Sequence, residues 1–142
     1  MKLCVDASLV LKWLVSEEGS ECALALLKKY QKKDCLFIAP SLLDYEIGSI
    51  LRQKILRGFL SVDDLFPIYD FYHRLGLVLL HPTPLVDQTV SLAGTLSQST
   101  IYDTSYLLLA KQQGVDFVTA DKKFYQAARG LFPFVKFYED LT

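Results

Sequence analysis

The chain has 142 residues, of which 51% are hydrophobic and 22% are charged, and its formal net charge is −1. A globular chain of this length buries about 70% of its unfolded surface, so we predict one domain spanning residues 1–142. The small net charge excludes a strong attraction of the whole molecule to nucleic acid or anionic membranes, and no apolar run approaches the roughly 20 residues of a transmembrane helix.

Short apolar runs alternate along the chain with longer segments whose apolar residues recur at helical spacing. Buried strands are predicted at residues 2–5, 36–39, 77–80, 117–119 and 135–138. Helices are predicted at residues 7–15, 20–32, 42–57, 63–75, 85–96, 101–113 and 122–129. Strands that alternate with helices are typical of a parallel sheet covered on both faces, so the predicted fold class is α/β.

Capping and turn residues support several of these boundaries. Ser41 precedes the third helix and, with Asp44 three residues later, approximates a capping box. We therefore expect Ser41 to cap this helix and Asp44 to have only a structural role. Gly58 is expected to end the helix. Pro67 falls inside the predicted helix at 63–75, so that helix should begin late or kink there.

Two acidic residues, Asp6 and Asp121, each fall at the carboxyl end of a predicted strand. The carboxyl ends of parallel strands form the edge of an open α/β sheet where ligands usually bind. An Asp after a strand also often caps the following helix by accepting a backbone N–H. Taken singly, the two interpretations are about equally good for either residue.

Two further acids, Glu46 and Asp103, lie inside apolar helical patterns. Helical spacing places Asp103 on the same side as Leu107, and Glu46 beside Leu43 and Ile50. A position in the first helical turn, where the helix dipole favours a negative charge by roughly 0.3–1 kcal/mol, is the structural alternative for Asp103. It explains an exposed Asp better than one among apolar side chains.

Four carboxylates that converge at one sheet edge repel each other and raise one another's pKa values. A hard divalent cation resolves this conflict, and ligation by oxygen alone suits Mg²⁺ or Mn²⁺. Such a cation polarises a phosphoryl group and generates a hydroxide-like nucleophile. The pattern therefore indicates metal-dependent hydrolysis of phosphodiester bonds.

The four acids lie within an ordered set of motifs. These are VDASLVLKWL at residues 5–14, PSLLDYEI at 40–47, YDTSY at 102–106 and TAD at 119–121. The set resembles the motifs of PIN-domain ribonucleases, in particular the VapC toxins of prokaryotic toxin–antitoxin pairs, and the match covers nearly the whole chain. One such acid is a weak signal, but four in this order and in this strand and helix context are fairly specific.

The resemblance implies a three-layer α/β/α sandwich with a five-stranded parallel sheet. It also implies metal-dependent endonucleolytic cleavage of RNA, a homodimer, and inhibition by a small VapB-type antitoxin. Two alternatives stay open at this point. One is a housekeeping RNA-processing or DNA-flap nuclease without an antitoxin, and the other is a non-catalytic binding module whose acids only cap helices.

The resemblance also implies a role for each of the four acids, which are the candidate catalytic residues. Asp6, Asp103 and Asp121 are expected to hold Mg²⁺, with Mn²⁺ as the alternative cation, directly or through water. Glu46 is expected to orient or deprotonate the attacking water.

Neighbouring polar residues are weaker candidates. Ser8 and Thr119 are expected to support the acids by hydrogen bonds, although capping of backbone N–H groups is at least as good an interpretation. Lys122 and Lys123 follow the fourth motif and are expected to contact substrate phosphates. At Ser49 many PIN-domain relatives carry Asn, which is a longer and more versatile hydrogen-bonding residue.

Aromatic and cysteine residues complete the set of expectations. Tyr45, Tyr102 and Tyr106 are able to stack on RNA bases, but aromatic residues at helical spacing are more often part of the core. The three cysteines are odd in number and lack CxxC spacing, which argues against a disulfide framework and a zinc site. We interpret them as reduced core thiols of a cytoplasmic protein.

Overall fold

A parallel five-stranded sheet forms the centre of the computed structural model, which describes residues 1–81 and 86–142. The strands are β1 (Lys2–Val5), β2 (Leu36–Pro40), β3 (Val78–Leu80), β4 (Asp116–Thr119) and β5 (Val135–Phe137). Their order in the sheet is β3-β2-β1-β4-β5, and every neighbouring pair is parallel. The predicted five-stranded parallel sheet is confirmed, with strand ends that differ from the predicted ones by one residue at most.

Seven α-helices are present in the described residues. They are α1 (Ala7–Leu14), α2 (Ser20–Gln31), α3 (Leu43–Leu56), α4 (Leu65–Arg74), α5 (Val86–Thr95), α6 (Tyr102–Gln113) and α7 (Lys122–Ala128). Each overlaps one predicted helix, and the predicted first residue of α5, Leu85, lies outside the described residues. Within the described part of the chain, none of these helices combines the length and apolar character needed to cross a membrane.

The helices cover both faces of the sheet. Crossovers between parallel strands are right-handed, so those from β1 to β2 and from β2 to β3 place α1 to α4 on one face. The crossovers from β3 to β4 and from β4 to β5 run in the opposite direction and place α5 to α7 on the other face. The contacts between elements agree with this arrangement, because α1 contacts α2, α3 and α4, whereas α6 packs on β1, β2 and β4. The α/β/α sandwich is confirmed.

Helix α1, whose amino terminus carries the first candidate acid, is anchored by Trp13. The indole N–H of Trp13 donates a 2.9 Å hydrogen bond to the Ala23 carbonyl in α2. Its ring lies 5.3 Å from the ring of Phe37 in β2, and Leu9 and Val10 are fully buried on the same helix. These contacts fix α1 against both α2 and the sheet, which restricts where the residue that begins α1 can lie.

The predicted capping box at Ser41 and Asp44 is wrong. Helix α3 begins one residue later than predicted, and Leu42 occupies its cap position without a side-chain hydrogen bond. The hydroxyl of Ser41 instead lies 3.1 Å from Nδ1 of His81, and Asp44 accepts a 2.6 Å hydrogen bond from the hydroxyl of Tyr72. The local pattern failed because side chains from distant segments compete for the same polar groups.

The structure also tests the expectations for Pro67 and for the cysteines. Helix α4 begins at Leu65, two residues after its predicted start, so that Pro67 lies in the first turn, where a missing N–H costs no helical hydrogen bond. All three cysteines are free, but only Cys4 is buried. Cys22 and Cys35 are partly exposed, so the expectation of three core thiols is wrong for these two.

Candidate active site

The sheet brings two of the candidate acids to its topological switch point. Strands β1 and β4 are neighbours, with Val5 opposite Val118, and strand order runs in opposite directions on either side of this pair. Asp6 directly follows β1, and Asp121 lies two residues beyond the end of β4. A crevice outside the carboxyl ends of strands at such a point is the usual ligand site of an open α/β sheet.

Asp6 is the most deeply buried of the four acids and is 3% exposed. One of its carboxylate oxygens accepts hydrogen bonds from the Leu9 backbone N–H at 3.0 Å and from the Ser8 hydroxyl at 2.7 Å. The other accepts a hydrogen bond from the Thr119 hydroxyl at 2.5 Å. The carboxylate therefore caps α1 and also takes part in a hydrogen-bonded network at the strand ends, so the capping interpretation and the site interpretation describe the same group.

Ser8 and Thr119 form a hydroxyl bridge between the ends of β1 and β4. Ser8 Oγ accepts a 3.0 Å hydrogen bond from the Ala120 N–H, and Thr119 Oγ1 accepts one of the same length from the Asp121 N–H. Each hydroxyl has one proton and directs it at the Asp6 carboxylate. Both sequence-based interpretations, support of an acid and capping of backbone N–H groups, apply to each residue.

Glu46 and Asp121 are also held by the protein. Glu46 lies in the first turn of α3, and its Oε1 accepts a 2.7 Å hydrogen bond from the hydroxyl of Tyr106 in α6. Tyr106 is fully buried and stacks on Phe117 of β4 at 5.9 Å between ring centroids. Asp121 caps α7 by accepting a 2.9 Å hydrogen bond from the Phe124 N–H. Three of the four acids thus have defined orientations.

The charges of the four acids influence one another. Burial raises the pKa of Asp6 to about 6; hydrogen bonds oppose this rise, and the charge of Asp103 adds to it. Burial also raises the pKa of Glu46 to about 7, against the Tyr106 hydrogen bond and with the charges of Asp6 and Asp103. The pKa of Asp103 is raised by burial and then by Asp121. This mutual repulsion connects all four acids into one site.

No cationic side chain within residues 1–81 and 86–142 forms an ion pair with any of the four acids. The ion pairs of the described residues are Lys12 with Glu17, Lys54 with Glu17, and Arg74 with Asp70. A divalent cation stabilises a set of carboxylates that are partly or fully buried and have no cationic partner, and a donor set of oxygen atoms suits Mg²⁺ or Mn²⁺.

The side chains are not drawn together as a closed metal cage. In the described part of the chain, no group of three or more His, Cys, Asp or Glu side chains has the arrangement needed to hold a metal ion. Protein donors instead occupy carboxylate oxygens of three of the acids. Mg²⁺ keeps several waters and is commonly bound through only one or two carboxylates, so an open arrangement fits it better than a full protein cage does.

A cavity of about 290 Å³ lies beside Glu46, and the sequence did not predict it. It is lined by Leu42, Tyr45, Glu46, Ser49, Ile50 and Tyr102. A larger cavity, of about 470 Å³, lies beside the amino-terminal ends of β1 and β4, where none of the four acids contributes to its lining. The smaller cavity is therefore the one connected with the candidate chemistry.

The three tyrosines near the acids fall into two groups. Tyr106 belongs to the core, as aromatic residues at helical spacing usually do. Tyr45 and Tyr102 are 81% and 53% exposed, so the core interpretation is wrong for them. Each directly precedes a candidate acid in a first helical turn, Glu46 and Asp103 respectively, and this adjacency was the one sequence signal that set them apart. Lys122 and Lys123 are also exposed and begin α7.

Removal of the Asp6 charge is expected to stabilise the metal-free protein at neutral pH. Folding raises the Asp6 pKa from 3.8 to about 6, so above pH 6 the ionised group opposes folding by roughly 3 kcal/mol. This destabilisation is absent below pH 3.8, the pKa of Asp6 in the unfolded chain. It reaches its full size as the pH rises through about 6, the pKa of Asp6 in the folded protein. In EDTA, Asp6→Asn should therefore melt at a higher temperature than the wild type at pH 7.5, and this gain should shrink towards pH 4.

The matched control for this experiment is Asp44→Asn, because Asp44 is an exposed acid outside the site. It should show no comparable gain that depends on pH. A melting temperature of Asp6→Asn below that of the wild type at pH 7.5 would contradict the prediction.

Comparison with known proteins identifies the family of this chain. The PIN domain family matches residues 3–130, and the chain belongs to this family. Ribonuclease VapC3 of Pyrobaculum aerophilum is 29% identical over 127 residues, which cover 87% of this chain and 92% of that protein. The resemblance found in the four motifs is thereby confirmed.

A solved structure supports the same assignment of the fold. The crystal structure of PAE2754 from Pyrobaculum aerophilum matches with a TM-score of 0.66 and 24% sequence identity. The match covers 99% of this chain and 95% of that one. At this identity the likeness establishes the α/β/α fold.

Proposed function

We propose that the chain is a metal-dependent endoribonuclease, the toxin of a VapBC-type toxin–antitoxin pair, which hydrolyses RNA phosphodiester bonds. One observation carries the proposal: four acids whose charges repel each other share a site where no cationic side chain of the described residues forms an ion pair with them. Membership of the PIN domain family and the similarity to Ribonuclease VapC3 support it.

Asp6, Asp103 and Asp121 are the residues that would hold Mg²⁺, with Mn²⁺ as a possible substitute. When bound, such a cation supplies Lewis-acid activation of the phosphoryl group and lowers the pKa of water. Asp6 is oriented for this role before any cation binds, because three protein donors fix its two oxygens. Support of this kind to a metal ligand typically contributes 10–100-fold in affinity or activity.

Glu46 would orient the attacking water and accept its proton. The hydroxyl of Tyr106 occupies Oε1, so Oε2 is the oxygen that faces this task. A pKa near 7 is suited to a general base at neutral pH, because about half of the group is then ionised and the carboxylate is still basic enough to accept a proton. Lys122 and Lys123 would contact phosphates on either side of the cleaved bond.

The partners follow from the same assignment. We infer a VapB-type antitoxin, a homodimer and a cytoplasmic location from the similarity to VapC toxins. Co-expression with the product of a short neighbouring gene for a DNA-binding protein should relieve growth arrest caused by this chain. Arrest that no neighbouring gene relieves would favour a housekeeping nuclease instead.

The direct test uses purified protein and defined RNAs, with and without Mg²⁺ or Mn²⁺, followed by mapping of the cut ends. Internal cuts that need the cation support the proposal. Absence of cleavage with either cation across structured and unstructured RNAs would overturn it.

Metal binding should also be visible without any substrate. A cation that binds only the folded state at 100 times its Kd adds about 2.7 kcal/mol to the free energy of unfolding, which is several degrees in melting temperature. We expect millimolar Mg²⁺ to raise the melting temperature of the wild type but not that of Asp103→Asn. No shift in the wild type would favour a non-catalytic binding module.

A further inference from the structure

The cavity beside Glu46 has aromatic and aliphatic walls with a few polar groups. Its aromatic walls are Tyr45 from α3 and Tyr102 from α6, which lie on different helices and remain largely exposed. Leu42 and Ile50 add apolar surface, and polar groups come from Glu46 together with Ser49. Mostly apolar walls with a few polar groups are typical of small-molecule and cofactor sites.

The charge of the lining indicates which part of a nucleotide the cavity suits. The cavity contains a carboxylate, on Glu46, and none of the residues that line it is Lys or Arg. A phosphate would be repelled there, whereas a neutral base is not. The Ser49 hydroxyl is able to donate a hydrogen bond to a base edge or accept one from it. The exposed lysines, Lys122 and Lys123, lie outside this lining.

The position of the cavity relates it to the chemistry. Glu46 belongs both to the cavity and to the set of four acids, so a group held in the cavity lies next to the reacting bond. Tyr102 directly precedes Asp103 in the first turn of α6. A base in the cavity would therefore belong to a nucleotide that flanks the cleaved phosphate.

We propose that this cavity binds one unpaired base of a single-stranded RNA, next to the cleaved phosphodiester, by stacking on Tyr45 and Tyr102. The proposal rests on the proposed ribonuclease function and deepens it. A base in a duplex is already stacked and paired, so the cavity selects unstacked RNA. Any base has a π-face for stacking, and hydrogen bonding by Ser49 adds preference among bases.

The test combines protein variants with modified substrates. Once the cut is mapped, an abasic residue is placed in turn at each position near it. At one flanking position the abasic RNA should show a rise in KM of about 10-fold, within the range measured for loss of one stacked base. Tyr45→Ala and Tyr102→Ala should cause a similar rise on intact RNA and little further loss on that abasic RNA, because both changes remove the same contact.

Two kinds of control separate stacking from general damage. Tyr45→Phe and Tyr102→Phe keep the ring and should recover most of the affinity lost in the Ala variants. Phe66→Ala removes an aromatic side chain that is 82% exposed elsewhere, on α4, and should leave KM unchanged.

The outcomes that overturn the proposal are distinct from failure of the ribonuclease function. The proposal is overturned if the loss from an Ala variant and the loss from the abasic substitution add when the two are combined. Equal cleavage of duplex and single-stranded RNA would also overturn it. In both cases the protein would still be a ribonuclease. Loss of dimerisation in the Ala variants with unchanged response to the abasic position would show that the cavity is an interface between copies.

If no RNA is cleaved, RNA binding measured in EDTA still tests whether the cavity holds a base. Fluorescence anisotropy of a labelled single-stranded RNA should then show weaker binding by Tyr45→Ala and Tyr102→Ala than by the wild type. Equal binding by all three proteins would overturn the cavity assignment independently of catalysis.

Discussion

Asp103→Asn is expected to lower metal-dependent RNA cleavage by at least about 10³-fold without unfolding the protein. Metal activation of a phosphoryl group contributes several kcal/mol to transition-state stabilisation, and each 1.36 kcal/mol is a factor of ten in rate. Asn has nearly the same shape as Asp but one fewer ligand oxygen and no charge. Single-turnover cleavage of a mapped RNA substrate, with circular dichroism to confirm the fold, provides the measurement.

The fold should survive because the Asp103 carboxylate forms no hydrogen bond or ion pair with the residues that the structure describes. Its negative charge raises the pKa values of Asp6 and Glu46, so its removal also relieves repulsion. Asp116→Asn is the matched control, since Asp116 begins β4 at the opposite edge of the sheet. Equal cleavage by both variants and the wild type would contradict the proposed site.

Glu46→Gln is expected to lower the rate of the cleavage step by about 10²–10⁴-fold, the usual contribution of a general base. The Gln side-chain oxygen still accepts the hydrogen bond from Tyr106, so the geometry of α3 and α6 is preserved. In the wild type the rate should fall as pH drops below the pKa of the base, because the protonated acid cannot accept a proton. This limb of the pH profile should be absent in Glu46→Gln.

Tyr106→Phe tests the assignment of Glu46 as the general base by raising the pKa of Glu46 instead of removing its carboxylate. The hydrogen bond from Tyr106 lowers the pKa of Glu46, so its loss should raise that pKa and move the acid limb to higher pH. The variant keeps the ring that packs on Phe117. A Glu46→Gln enzyme with a rate and a pH profile like those of the wild type would show that another group handles the water.

The sheet and the acids were predictable because strong local patterns determine them. Apolar runs in a parallel sheet covered on both faces predict strands with little ambiguity, and an acid that follows such a run lies at the edge where ligands bind. Asp6 and Asp121 follow this rule. Capping of the following helix was the alternative explanation in the sequence, and the structure shows that both side chains form such caps. Their proposed role in the site does not conflict with capping.

The tertiary hydrogen bonds were not predictable from local patterns. The capping box at Ser41 and Asp44 satisfies the spacing rule, yet His81 and Tyr72 from other segments contact these side chains. In the same way, no periodicity in the sequence indicates that Tyr106 reaches a carboxylate 60 residues away. Contacts of this range depend on how layers pack, which a single sequence does not encode in short motifs.

The cavity was missed for a related reason. Tyr45 and Tyr102 line the same cavity but lie in helices separated by one strand and two α-helices along the chain. Helical spacing favoured the core for all three tyrosines, and it was right only for Tyr106. Exposure of an aromatic side chain depends on which element covers it, so the pattern alone did not separate the three.

The hydroxyl bridge between β1 and β4 also sets the time at which the site can form during synthesis. Thr119 and Asp6 are 113 residues apart, and Ser8 is bonded to the Ala120 N–H across a similar distance. In a nascent chain whose β4 has not yet paired with β1, the bridge is absent and Asp121 is not held at the edge of the sheet. We therefore expect the proposed ribonuclease site to assemble only after most of the chain has left the ribosome.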